Sequence, residues 1–383
     1  MRHRFFLIIT FLAITSINPI SGWTTIDQCE DVCSPSDDYA RGHWERITNA
    51  PLASSAEQLE SIFGYKNHTN YHLINWDAHF CSRRPEDFVR AQESLLWRWQ
   101  PDHCSLFDFR PIRTQRHSVG ALLAKLGPRK IIFVGDSLVL EQYLSLEGLL
   151  GSEIVGAQSE NVVINGLPYS SQAASFVTRS GLQVSYTRSD FLVNKETMTV
   201  DTPHQTGPSG AHHYTMSNTS HLACCSSPWA HLLGYPNSHL VLTTSAHWAS
   251  SRGTGPGRHA AAVQTVVRHL AANFRGERVF VRASVPGHPQ CHLAQGPYSD
   301  ALYQHDTKWH NWSEFEAHNE AWRSALRSLN DSRFVFMDVE PMTRARPDGH
   351  LRPGGPDCLH YCLPGVIDYW TLLLASFWMS CRA

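Results

Sequence analysis

From about residue 126 onward, apolar segments of strand length alternate with segments of helical periodicity, and this alternation constrains the fold more than any other feature. The predicted elements, in chain order, are a strand at 129–137, a helix at 138–150, strands at 182–193 and 239–248, a helix at 258–274, a strand at 277–285, a helix at 312–329 and a strand at 333–341. Apolar strands that alternate with helices are typical of a parallel sheet covered on both faces. The sequence therefore predicts an α/β fold with a mainly parallel sheet.

Functional sites in such sheets gather beyond the carboxyl ends of the strands. Ser137, the segment from Ser245 to Trp248, and Ser284 all lie at the ends of predicted strands. We therefore expect these residues at one rim of the sheet.

The overall composition is that of a globular protein. The 383 residues are 42% hydrophobic and 17% charged, which is enough to bury a large core in one large domain or in two ordinary ones. The formal net charge of −2 gives no basic excess. Composition therefore does not predict a nucleic-acid partner or binding to an anionic membrane surface.

The N-terminus has the pattern of a targeting segment. A basic start at residues 1–4 precedes an apolar segment at 5–15, and small and polar residues follow to residue 22. This pattern predicts a secretory signal peptide or a short signal anchor over residues 1–22. The expected location is the Golgi or ER lumen, or outside the cell, with membrane contact only through that possible anchor.

Cysteines and glycosylation sequons agree with this compartment. An even count of ten cysteines favours disulfides, and the absence of paired C-x-x-C elements argues against a zinc site. Candidate N-glycosylation sites are Asn67, Asn218, Asn311 and Asn330. Nothing in the sequence indicates a metal or a bound cofactor.

Two short motifs suggest a nucleophile and its base. Gly135-Asp136-Ser137 ends the first predicted strand, where a tight turn that caps a helix would use the same residues. Asp357 precedes His360 by three residues, so its carboxylate can hold the imidazole Nδ1–H and leave the other nitrogen free to act on a serine. The order Ser, Asp, His, with the last two adjacent, is that of SGNH (GDSL-type) esterases and acyltransferases.

Four longer segments carry a closer resemblance. They are LLWRWQPDHC (95–104), IIFVGDSL (131–138), VPGHPQC (285–291) and DCLHYCLPGVIDYW (357–370). Together they resemble the plant trichome birefringence-like proteins and their fungal and animal relatives, the PC-esterase group. The resemblance covers roughly residues 80 to 375, with Tyr361 where the family usually has Trp.

The resemblance implies an SGNH-type three-layer α/β/α sandwich with a cysteine-rich N-terminal lobe packed on it. The expected division is a signal or anchor at 1–22, the lobe at 23–125 and the catalytic domain at 126–383. The family's characterised plant members are polysaccharide O-acetyltransferases of the Golgi lumen that work through an acyl-serine.

Carried over to this chain, the family pattern makes Ser137 the nucleophile, His360 the general base and then acid, and Asp357 the residue that orients His360. The implied function is transfer of an acyl group, most simply acetyl, from a donor that the sequence does not identify to a carbohydrate acceptor. Two alternatives stay open at this point. One is a carbohydrate acetylesterase with the same triad, and the other is a non-catalytic glycan-binding relative.

The resemblance also implies disulfide pairs around these residues. It pairs Cys291 with Cys358 and Cys81 with Cys362, and it pairs Cys104 with either Cys29 or Cys33. For the remaining cysteines two arrangements stay open: Cys224 and Cys225 bond to each other, or one of them bonds to Cys381.

The chain departs from the plant pattern near the nucleophile. The family's GDSLSRNQ is GDSLVLEQ here, with Leu140 for arginine and Glu141 for asparagine. These two changes motivate the non-catalytic alternative. The family's N-T-G-H-W block corresponds to residues 244–248, or to residues from Thr243 onward if the gap falls differently. In both alignments a threonine, Thr244 or Thr243, replaces an asparagine that could donate to an oxyanion.

Several residues near these motifs are candidates for oxyanion or substrate contacts: Gly135, Asp136, Arg188, Thr244, His247 and Trp248. For two of them a structural role is an equally good interpretation. Arg188 could pair with an acid such as Asp190, and Trp248 could be packing at a strand end.

Overall fold

The computed structural model describes residues 30–65, 79–112, 117–164, 167–194, 197–200, 227–298, 311–351 and 357–382. The targeting segment, the sequons at Asn67 and Asn218, and Cys29, Cys224 and Cys225 lie outside these residues. None of the helices in these ranges is long and apolar enough to cross a membrane.

Strands and helices alternate through most of the chain. The strands are β1 (Gly42–Arg46), β2 (Trp97–Pro101), β3 (Lys130–Gly135), β4 (Ile154–Ile164), β5 (Leu167–Thr178), β6 (Gln183–Arg188), β7 (Ser238–Thr243), β8 (Arg278–Arg282) and β9 (Phe334–Met337). The α-helices are α1 (Ala56–Ile62), α2 (Phe88–Leu95), α3 (Val119–Leu126), α4 (Ser137–Leu150), α5 (Pro256–Asn273), α6 (Phe315–Leu329), α7 (Glu340–Arg344) and α8 (Val366–Met379).

The main sheet has the strand order β4-β5-β6-β3-β7-β8-β9 over the described residues. The five strands from β6 to β9 in this order run parallel, and β5 and β4 extend the sheet antiparallel at one edge. The chain leaves β3 first toward β6 on one side and later reaches β7 on the other. In doubly wound sheets, ligands bind beyond the strand ends at such a switch point, which here is the carboxyl end of β3.

Both faces of the sheet are buried under helices around β3, β7 and β8, which explains the continuous apolar strands there. In β3, Ile131 and Phe133 pack in one apolar cluster with α3, α4 and α8. Ile132 and Val134, which point to the opposite face, pack in a second cluster with α5 and α6. The predicted α/β sandwich with a mainly parallel sheet is therefore confirmed.

Residues 30–65 and 79–112, which we call the N-terminal segment, pack on the face of the sheet that α8 covers. The Trp44 indole N–H donates to the Met342 carbonyl at 2.7 Å, and the Phe107 backbone N–H donates to Ser376 Oγ at 2.7 Å. A disulfide joins Cys33 to Cys104 within this segment. Because the segment covers α4 and α8 from outside, residues 138–150 and 366–379 are buried on every side.

All five predicted strands are shorter in the structure than the apolar pattern suggested. The strands predicted at 129–137, 182–193, 239–248, 277–285 and 333–341 end at Gly135, Arg188, Thr243, Arg282 and Met337. The residues that follow leave the sheet at its carboxyl rim. The β4–β5 pair and α8 are additional elements that the sequence pattern did not indicate.

Candidate active site

Ser137 stands at the junction between β3 and α4. Gly135 ends β3 at φ +153°, and a Cβ there would lie 2.5 Å from the Thr243 carbonyl oxygen and 2.6 Å from Val139 Cγ2. Only glycine fits this turn. Asp136 caps α4, because its carboxylate accepts the Leu138 N–H at 3.0 Å. The turn therefore places Ser137 as the first helical residue at the switch point of the sheet.

Ser137, His360 and Asp357 form a hydrogen-bonded series. Ser137 Oγ lies 2.7 Å from His360 Nε2, and His360 Nδ1 lies 2.8 Å from Asp357 Oδ2. The other carboxylate oxygen of Asp357 accepts the backbone N–H groups of Leu359 and His360, each at 3.1 Å. A carboxylate only accepts, so Nδ1 carries the proton and Nε2 faces the serine hydroxyl. The structure thus brings together all three residues that the sequence singled out.

The charges around His360 favour its protonated form. Burial lowers the pKa of His360, but the hydrogen bond to Asp357 and the negative charges of Glu141, Asp357 and Asp136 outweigh burial and raise this pKa to about 9. Burial raises the pKa of Asp357, but the hydrogen bonds from His360 hold it well below its usual range. The site therefore stabilises an imidazolium beside the serine.

Two disulfides hold the turn at residues 357–362, which we call the acid–histidine turn. Cys358 bonds to Cys291 and Cys362 bonds to Cys81. These are the two pairings that the resemblance implied, and Cys33 is the partner that the structure gives to Cys104. Cys381 is disulfide-bonded as well. The turn is therefore tied covalently both to the loop after β8 and to the N-terminal segment.

The acid–histidine turn is also held by two histidines, His350 and His288, to which the sequence gave no role in the site. His350 Nδ1 donates to the backbone carbonyl of His360 at 2.9 Å, and the Leu351 N–H donates to the same oxygen at 3.0 Å. His350 Nε2 lies 2.6 Å from Nδ1 of His288, which is fully buried. The clue in the sequence was the position of His288 in VPGHPQC; nothing local indicated His350.

Glu141, one turn into α4, is also in contact with the acid–histidine turn. Its carboxylate oxygens accept the Tyr361 N–H at 3.2 and 3.3 Å. His79 Nδ1 lies 3.3 Å from Oε1 of the same carboxylate, which is fully buried.

Arg188 and His247 share an acid beside the end of β3. Arg188 pairs with Gly135 in the sheet register, and its guanidinium donates to both oxygens of Asp190, at 2.8 and 3.3 Å. His247 Nε2 lies 3.3 Å from Asp190 Oδ2, and the His247 side chain is 26% exposed. Arg188 is thus paired with Asp190, as the structural interpretation expected, and His247 retains access to the rim.

Thr244 and Trp248 are buried. The Thr244 hydroxyl donates to the Asp190 carbonyl at 2.5 Å and accepts the Trp248 indole N–H at 2.8 Å. The exposed fractions are 1% for Thr244 and 0% for Trp248. The Thr244 proton is therefore already in use, and Trp248 is packing at the strand end.

The two sequons in the described residues differ in exposure. Asn330 is exposed at the end of α6. Asn311 is partly buried, and its amide N–H donates to Glu314 at 2.8 Å. In the described ranges, no group of three or more His, Cys, Asp or Glu side chains is arranged to hold a metal ion.

An α/β sandwich with a serine, a histidine and an aspartate in hydrogen-bonded series beyond a central strand defines an SGNH-like protein of the acyl-transferring or esterase class. Residues 116–377 match the PC-Esterase family, described as the GDSL/SGNH-like acyl-esterase family found in Pmr5 and Cas1p. The chain belongs to this family.

Curated relatives of the chain include plant proteins with acetyltransferase names. Trichome birefringence-like protein 9 of Arabidopsis thaliana is 25% identical over 378 residues, which cover 90% of this chain and 84% of the relative. Xyloglucan O-acetyltransferase 1 of Populus trichocarpa is 25% identical over 96% of this chain and 86% of its own length. Xylan O-acetyltransferase 2 of Oryza sativa subsp. japonica is 25% identical over 73% of this chain and 60% of its own length.

Proposed function

We propose that the protein is a serine-dependent carbohydrate O-acetyltransferase that works by double displacement through an acyl-Ser137 intermediate. The observation that carries the proposal is the series from Asp357 through His360 to Ser137, with contacts of 2.8 and 2.7 Å. The xyloglucan and xylan O-acetyltransferase names of the relatives support a polysaccharide acceptor.

In the first half-reaction, His360 Nε2 accepts the Ser137 hydroxyl proton while Oγ attacks the acyl carbonyl of the donor. The Oγ–carbon bond forms and the carbonyl oxygen becomes an oxyanion. When the tetrahedral intermediate collapses, the bond to the donor's leaving group breaks and His360 returns the proton to that group. Asp357 keeps the imidazole in the tautomer that makes this exchange possible.

The oxyanion requires a donor that is in place before the reaction. The backbone N–H of Ser137 lies at the N-terminus of α4, where helix N–H groups have no partner within the helix and the dipole favours negative charge. One such donor typically contributes about 2.7–4 kcal/mol to the transition state. Asp136 contributes by capping the helix through the Leu138 N–H.

In the second half-reaction, a sugar hydroxyl gives its proton to His360 and attacks the acyl-serine. The new ester bond forms on the sugar, the bond to Oγ breaks, and His360 returns the proton to Ser137. A carbohydrate acetylesterase is the second candidate, because the family description names acyl-esterases and water could take the place of the sugar. Exclusion of water from the acyl-serine is what separates the two activities.

We place this activity in the lumen of the secretory pathway or outside the cell. Three disulfides join cysteines that are far apart in the sequence, and such bonds persist in oxidising compartments. Residues 1–22 would act as the signal or anchor.

The test is incubation of the purified protein with an activated acetyl ester, with and without an oligosaccharide acceptor. We expect acetylated sugar from the wild type, acetyl on Ser137 by mass spectrometry after a short donor pulse, and neither from Ser137→Ala. Ser328→Ala, at an exposed serine of α6, serves as the matched control. Acetate release that no acceptor changes would indicate the esterase, and wild-type rates equal to those of Ser137→Ala would contradict both activities.

A further inference from the structure

Glu141 lies one helical turn after Ser137 on α4. Residues four positions apart project from the same side of a helix, so Glu141 and Ser137 face the same neighbour. That neighbour is the acid–histidine turn, on which Ser137 contacts His360 and Glu141 contacts Tyr361, the next residue along. Helix α4 therefore contacts the turn at two points. The Ser137 side chain contacts the His360 side chain, and the Glu141 side chain accepts a backbone N–H of the turn.

The Glu141 carboxylate is fully buried, and its contacts lead toward the acid–histidine turn. Both of its oxygens face the Tyr361 N–H, at 3.2 and 3.3 Å. His79, whose Nδ1 lies 3.3 Å from Oε1, has its own backbone carbonyl bonded to the Leu363 N–H at 2.8 Å. The carboxylate thus lies at the centre of the packing between α4, the N-terminal segment and the turn.

The charged groups around Glu141 come from several elements. Asp136 precedes α4, and Arg282, fully buried at the end of β8, stacks over the Trp370 ring at 4.5 Å and donates to the Ala283 carbonyl. Burial lowers the pKa of Arg282 to about 10, although the charges of Asp136 and Glu141 act in the opposite direction. Charges buried in this way are weakly screened, so a change at Glu141 is felt by its neighbours.

We propose that Glu141 is a positioning residue for His360, one that fixes the backbone after it and stabilises the imidazolium formed when His360 accepts the Ser137 proton. The inference rests on the proposed function for the meaning of that proton transfer. The plant pattern has a neutral asparagine here, which can bond the same N–H without supplying the charge. The negative charge is therefore the property that distinguishes this chain.

Removal of that charge has a defined sign. Glu141 is among the groups that raise the pKa of His360. A neutral residue at position 141 lowers this pKa, so the neutral imidazole becomes populated at lower pH. The expected change is a shift of the His360 titration by about one pH unit toward acid.

The test follows the titration of His360 in Glu141→Gln and in Glu141→Asn, which introduces the residue of the plant pattern. Diethyl pyrocarbonate reacts with neutral imidazole, and peptide mass spectrometry measures its addition to His360 against pH whether or not the protein is active. Glu147→Gln is the matched control, because it makes the same substitution at a buried glutamate on the same helix, six residues after Glu141.

We expect the midpoint of His360 modification to move toward acid in both Glu141 variants and to stay in place in Glu147→Gln. If only one Glu141 variant folds, as judged by circular dichroism, that variant gives the answer. A midpoint in the folded variant no lower than that of Glu147→Gln overturns the inference. Failure of the proposed function would look different, because wild-type acetyl transfer would then equal that of Ser137→Ala whatever the titration shows.

Discussion

Ser137 Oγ and His360 Nε2 lie 2.7 Å apart although the two residues are 223 positions apart in the sequence. The serine begins a helix that is buried in the core, and the histidine lies on a turn held by two disulfides. The proposed chemistry depends on the position of helix α4 relative to the acid–histidine turn.

Asp357→Asn should reduce acetyl transfer by about 10⁴-fold while leaving the fold intact. An amide can donate to His360 Nδ1, which would move the imidazole proton to Nε2 and remove the acceptor that Ser137 requires. Initial rates with a saturating donor measure the loss. Asp331→Asn, at a pair with Arg333 remote from the site, is the control, and a loss of less than tenfold in Asp357→Asn would contradict the assigned role.

Activity should rise with pH across the neutral range. The pKa of His360 is raised to about 9, so below that pH Nε2 is mostly protonated and cannot accept the serine proton. A profile of kcat/KM against pH should show an acid limb with a midpoint near 9. A profile that is already flat from neutral pH upward would show that His360 is neutral in the free protein.

Loss of the Cys291–Cys358 disulfide should lower both the free energy of unfolding and the rate of acetyl transfer by the protein that remains folded. A double substitution to alanine should cost about 2–4 kcal/mol of unfolding free energy, because the loop it closes becomes free in the unfolded chain. It should also reduce transfer at least tenfold, because Cys358 stands between Asp357 and His360.

The Cys33–Cys104 disulfide provides the matched control for that prediction. Its sequence separation of 71 is close to the 67 of Cys291–Cys358, so the chain entropy is nearly the same. Alanine at both positions should lower the free energy of unfolding similarly and leave transfer by the folded fraction unchanged. Equal losses of activity from the two double variants would mean that the disulfide at the turn has no local role.

His350→Phe should remove the hydrogen bond to the His360 carbonyl while a ring still fills the space beside Tyr361. Phenylalanine keeps a ring against Tyr361, whose centroid lies 4.1 Å away, but it cannot donate to the His360 carbonyl. We expect a loss of about 1 kcal/mol of unfolding free energy and about tenfold in kcat. His318→Phe, at a buried histidine bonded to Ser245, is the comparison; an equal effect on kcat there would contradict the assignment.

The sequence predicted the parts of the fold that local patterns control. Strand β3 and helix α4 lie where the apolar run and the GDS turn indicated. A few consecutive apolar residues are enough to indicate a strand buried on both faces, and a single short motif is enough to indicate a helix cap. The β4–β5 pair was missed, because segments such as AQSEN and SSQAAS are small and polar and show no clear alternation.

The same distinction between local and long-range contacts applies to the residues of the candidate site. Asp357 and His360 were identified together because they are three positions apart in the sequence and their contact is local. The bonds from Glu141 to Tyr361 and from His350 to the His360 carbonyl join separate elements, and only tertiary packing creates them. The pairing of Arg188 with Asp190, two residues away, was foreseen as an alternative because its partner is close in sequence.

Burial of α4 from Leu138 to Leu150 also limits movement during turnover. A helix enclosed on all sides cannot slide or rotate without opening the packed interior around it, which costs far more than thermal motion supplies. In the proposed mechanism Ser137 is therefore a fixed position to which the acyl donor and the acceptor come in turn. If the proposed reaction requires a change of conformation, burial of α4 leaves that change to elements other than the helix that carries Ser137.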